Sequence, residues 1–88
     1  MGHSPGTTMN IRAIALHGAV RTVALKLLAG IEASESAQSV NMAGQRAEGF
    51  VLGLEAACAL KVDVIENIYI GFSTAVSQRI AALQSLEP

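Results

Sequence analysis

Between residues 65 and 83 the apolar side chains Ile65, Ile68, Phe72, Val76, Ile80 and Leu83 recur at intervals of three and four. An α-helix, with 3.6 residues per turn, gathers such a set onto one side, so this stretch predicts an amphipathic helix with a single buried stripe. Just upstream, Asp63 is followed three residues later by Glu66. That spacing has the geometry of a capping box, with Asp in the role usual for Ser or Thr, and both acids would stand at the positive end of the helix macrodipole. A helix is therefore expected over about 63–85.

Two earlier segments have helical character. The first runs from about Asn10 to Ala29, with Gly30 as its expected stop. The polar link EASES then offers Ser34 and Ser36 as N-caps for a second helix over about 37–60. Residues 1–9, MGHSPGTTM, are small, polar and broken by Gly2, Pro5 and Gly6. They are expected to be a disordered tail or a leftover of expression, with Met9 available as a natural start. The expected organisation is one all-α domain over residues 10–88, built of three helices.

Alanine and leucine dominate, aromatic residues make up only 3% (Phe50, Phe72 and Tyr69), and there is no tryptophan. This is the make-up of a helical bundle rather than a sandwich or barrel. Hydrophobic residues reach 51% while charged ones stop at 15%, against roughly 25% in typical globular domains. A domain this small buries only about 60 to 65 per cent of the surface its unfolded chain exposes. The apolar excess therefore predicts that the core is completed by a homodimer or larger homo-oligomer. The first helix points the same way, with Leu16, Val20, Val23 and Leu27 on one side and Ile14, Leu25 and Leu28 on another, because a helix apolar on two sides needs two partners.

The second helix contains GFVLGLEAACALK, with glycines at 49 and 53. Each costs about 0.8–1 kcal/mol relative to alanine in an exposed helix interior, so a compensating contact is expected. Gly49, Gly53 and Ala57 lie one turn apart and would form a shallow groove open to close approach by another helix, of this chain or of another subunit. Gly71 with Ala75, and Ala15 with Ala19, repeat the spacing. Asn41, Gln45, Glu48 and Glu55 are expected on a wet face, broken by Leu52 and opposite a stripe holding Phe50 and Ala57.

Charge is unevenly spread. Residues 1–31 contain Arg12, Arg21 and Lys26 and no acid, whereas residues 32–88 set three cations against seven acids. The two parts should attract each other, within a chain or between chains. Arg12, Arg21 and Lys26 are also the candidate contacts for an anionic partner, but they spread around a helix and the net charge is −1, which disfavours nucleic acid. Scarce aromatics disfavour base stacking as well.

No catalytic, cofactor or metal site is expected. His3 lies in the tail, His17 has no carboxylate within one turn, and HExxH and CxxC are absent. Cys58 stands alone in the apolar run AACAL, where a thiol acts as a small hydrophobe. Glu48 and Glu55 are about 10.5 Å apart along a helix axis and read as solvated charges. The helix glycines lack the lysine and hydroxyl residue of a phosphate loop.

Arg12, His17, Arg21 and Lys26 interrupt the first apolar segment, so it is neither a membrane span nor a secretory signal. Its basic, acid-free character is shared by organellar transit peptides, against which a packed helix is preferred. A lone cysteine requires no oxidising compartment, and the cytoplasm is the default. Residues 65–84, IENIYIGFSTAVSQRIAALQ, with an acidic start, Tyr69, Ala75 and Arg79 followed by an apolar pair, resemble the end of the Hha-like modulators of bacterial nucleoid proteins. The resemblance covers about a quarter of the chain, and no functional residue is carried over from it.

The leading expectation is a small non-enzymatic interaction protein, of the kind bacterial accessory genes encode, which binds itself and another protein. One alternative is a nucleic-acid-associated regulator whose basic surface forms when first helices meet in a dimer. Another is a binder of a small apolar ligand between helices.

Overall fold

The computed structural model describes residues 10–86, and the expected tail over residues 1–9 lies outside them. The described chain has three helices and no strand: a short 3-10 turn (Ile11–Ala13), then α1 (Gly18–Ala33), α2 (Ala37–Ala56) and α3 (Val62–Gln84). Each helix touches both others, and the α2–α3 seam is the most extensive. None of the three is long and apolar enough to cross a membrane.

The α3 stripe forms as its spacing predicts, with Ile65, Ile68 and Phe72 buried and Val76, Ile80 and Leu83 half-buried. The start of the helix differs. Lys61 is the extended N-cap and supplies no side-chain bond, so the expected Asp63–Glu66 capping box does not form. Asp63 lies inside the first turn, where its carboxylate accepts from the Val64 N–H at 3.0 Å. It keeps its favourable place at the positive end of the helix while losing the capping role.

The first expected helix, over 10–29, is split and shifted. The Asn10 side chain caps the 3-10 turn by accepting from the Arg12 N–H at 2.9 Å. Residues 14–17 then run without helical structure, and α1 begins at Gly18, whose φ of 58° only glycine adopts freely. Gly30 does not end the helix, which continues to Ala33. Ala24, Leu28 and Ile31 share its buried side, and a stop at Gly30 would have taken Ile31 out of the core.

Ser36 caps α2 as expected. Its hydroxyl oxygen accepts from the Ser39 N–H and the Ser39 hydroxyl accepts in return from the Ser36 N–H, both at 3.1 Å. The helix ends at Ala56 rather than near Leu60. There the Ala59 N–H reaches back to the Leu54 carbonyl (3.0 Å), the Cys58 N–H to the Glu55 carbonyl (3.1 Å), and Cys58 takes a left-handed φ of 51°. This is a Schellman stop with cysteine in the position that usually holds glycine.

The core is wholly apolar. It is formed by Val40, Ala43, Ala47, Val51 and Leu54 of α2, the α1 and α3 stripes, and Ile11 and Leu16 from the segment before α1. The α2 stripe is thus rotated from the expected one: Phe50 is only half-buried at its edge, and Ala57 is exposed beyond the helix end.

The glycines pressed by neighbours are also other than expected. A β-carbon at position 71 would lie 2.6 Å from Ile11 Cδ1, and one at position 44 would lie 2.9 Å from Val76 Cγ2, whereas at Gly49 and Gly53 it would meet nothing within 4 Å. Close helix packing within the chain therefore uses Gly44 and Gly71, and corrects the intrachain role expected for Gly49, Gly53 and Ala57.

Candidate protein interaction surfaces

The side chains expected at an interface divide into two groups. Leu16 is buried, in the lead-in to α1 rather than on the helix. Val20, Val23 and Leu27 share one side of α1 by their spacing; Val20 and Leu27 are half-buried and Val23 is 38% exposed. This side lies next to the stripe Ala24, Leu28 and Ile31 that faces the core. On α2, Met42, Arg46, Gly49 and Gly53 follow one another at intervals of four, three and four, which aligns them along the helix, and all four are exposed.

The three candidate cations are not brought together. Arg12 is engaged with Glu32 at the far end of α1, with Nη2 2.8 Å from Oε1 and Nη1 3.0 Å from Oε2. This two-pronged geometry matches the flat guanidinium to the carboxylate, and it realises within one chain the attraction between the basic leading segment and the acidic remainder. The hydrogen bonds from Arg12 hold the Glu32 carboxyl below its ordinary range and raise the guanidinium above its own. Arg21 and Lys26 are exposed, and five residues of helix turn them about 140° apart. They form no common patch.

Sequence patterning missed a third surface, between α2 and α3. Two depressions of about 400 and 310 Å³ adjoin there and share Val51 and Tyr69. The first is walled mainly by Asn41, Gln45, Glu48, Ser73 and Ser77. The second has Val51 and Ile65 at its base and Leu52, Val62 and Tyr69 around it, with Glu55 and Glu66 at its edge. Leu52, Val62 and Tyr69 are 57%, 83% and 47% exposed. No lysine, arginine or histidine lines either depression. The available signal was Leu52 itself, an apolar break in an otherwise polar face.

His17 is the exposed N-cap residue of α1 and makes no side-chain capping bond. Cys58 is exposed at the α2 stop rather than packed among the apolar residues of the core. Among the described residues no three histidine, cysteine, aspartate or glutamate side chains gather closely enough to hold a metal ion. No family model, curated protein or solved structure matches the chain.

Proposed function

We propose that this chain is a small non-enzymatic interaction protein that self-associates through the outer sides of α1 and α2 and binds a further protein partner. The observation that carries this is the open glycine row. Gly49 and Gly53 stand in a helix interior with free space where their β-carbons would be, at about 0.8–1 kcal/mol each relative to alanine. A second helix laid against this row would make the close contacts that the chain's own helices do not. Exposed Met42 on the same line and Val23 on α1 add apolar surface for the same purpose. A cytoplasmic setting accords with a lone cysteine that has no intramolecular partner.

The test is absolute mass by light scattering after size exclusion, over a hundredfold concentration range, for the wild-type chain and Gly53→Leu. A dimer or larger assembly is expected for the wild type and a monomer for the variant. The variant's own helix should be no less stable, because leucine has the higher helix propensity and position 53 is open. A wild-type chain that is monomeric throughout would overturn self-association.

A further inference from the structure

We infer that the groove between α2 and α3 is a docking site for a cationic amphipathic helix of another protein, an assignment that rests on the interaction role proposed above and names its surface. The groove is continuous along α2 from Asn41 to Glu55, about 21 Å at 1.5 Å per residue. That is the length of roughly four helical turns, and a channel between two packed helices is the form that takes an amphipathic helix by its apolar side. Its apolar part, Leu52, Val62 and Tyr69 over Val51 and Ile65, offers the floor.

The rim sets the sign of the partner. Glu48 and Glu55 project from α2 and Glu66 from α3, all three are exposed, and none makes an ion pair with a described residue. With no cation among the lining residues, an incoming helix that carries lysine or arginine on both flanks of its apolar stripe meets complementary charge, whereas an acidic one is repelled.

The chain does not supply such a helix itself. On α1, Arg21 and Lys26 do border the apolar face by their spacing, but Ala24, Leu28 and Ile31 of that face are buried in the chain's own core. Residues 1–9 contain no lysine or arginine. The occupant is therefore a different polypeptide.

The probe is an 18-residue synthetic peptide designed as a helix, with leucines spaced three and four apart and lysines on both flanks. Its control carries glutamate at every lysine position. Both are titrated with the full chain by fluorescence anisotropy at low and high salt. The lysine peptide should bind at least about tenfold more tightly than the glutamate peptide and weaken as salt rises.

Glu48→Lys combined with Glu55→Lys should reverse the preference, and Leu52→Ser should weaken binding about fivefold or more with the circular dichroism spectrum unchanged. Glu35→Lys, an exposed acid outside the groove, should leave binding unaltered. Failure of the lysine peptide to bind overturns the assignment. So does a loss with Glu35→Lys as large as that with Glu55→Lys, which would reduce the effect to bulk charge.

If the Glu48, Glu55 double variant instead dissolves a wild-type oligomer in light scattering, the groove belongs to a second copy and the proposed partner is wrong. The two proposals fail separately: a wild-type chain that self-associates but ignores the peptide loses only the groove, and a monomer that binds the peptide loses only self-association.

Discussion

Cys58 occupies the left-handed position of the α2 stop, with φ 51°. A β-carbon in that conformation approaches the following carbonyl oxygen, at a cost of about 1–2 kcal/mol that glycine avoids. Cys58→Gly should accordingly raise stability by about 1 kcal/mol, less than the full strain because glycine also gains freedom in the unfolded chain; urea unfolding measures it. Gly71 predicts the opposite sign. An added methyl would lie 2.6 Å from Cδ1 and 3.0 Å from Cγ1 of Ile11, a side chain only 1% exposed that would have to shift within the core. Gly71→Ala should destabilise by about 1–3 kcal/mol through overpacking, and shortening the neighbour, with Ile11→Val added, should recover part of the loss. These two residues also show where residue-level reading stopped. With cysteine in place of the expected glycine there was no mark in the sequence for the end of α2, and the spacing of Gly71 and Ala75 resembles that of Gly49 and Gly53 although only Gly71 has a neighbour pressed against it.

At the scale of the helices, α1 is held at its last turn by two arginines from elsewhere. Arg12 pairs with Glu32, and Arg79 of α3 donates from Nε to the Ser34 carbonyl at 2.8 Å, which places positive charge at the negative end of α1. Because Arg12 lowers the Glu32 carboxyl below its ordinary range, the pair stabilises the fold above the unfolded value, about pH 4.3. That contribution is lost as pH falls through the folded value. Replacing Glu32 with Gln should flatten the stability curve as pH falls below about 4.3, read as melting temperature against pH. Raising salt should shrink the difference between the two proteins, since the pair is exposed. Legibility at this scale followed periodicity. α3 was readable because six large apolar residues keep one phase, and the start of α2 because Ser36 is a strong capping residue. α1 was misplaced because Ala13, Ile14, Ala15, Leu16 and His17 alternate small or polar with large, and the structure exposes and covers them alternately. That is the period of extended chain rather than of a helix. The α2 stripe came out rotated because alanines and glycines surround the helix and give its faces little contrast.

For the molecule as a whole, stability rests mainly on packing, since among the described residues no polar or charged side chain is buried. The segment before α1 is part of that packing. Ile11 and Leu16 are 1% and 5% exposed, and each fully buried aliphatic side chain contributes about 1.5–3 kcal/mol. A domain's entire stability is about 5–15 kcal/mol. Deleting residues 10–17 should therefore leave a chain that melts without a sharp transition, as read by circular dichroism. The interaction surfaces were only partly legible at this scale: an excess of apolar residues can be counted from composition, but which of them stay wet depends on how α2 and α3 rotate against each other. The Ile11–Gly71 contact joins positions sixty residues apart, so a chain leaving the ribosome carries α1 and α2 for some time before the notch that receives Ile11 exists. A contact of this sequence separation is expected to form late, after the transition state for folding. Substitutions at Ile11 should accordingly speed unfolding while leaving the folding rate nearly untouched, as expected if the leading segment is the first to let go.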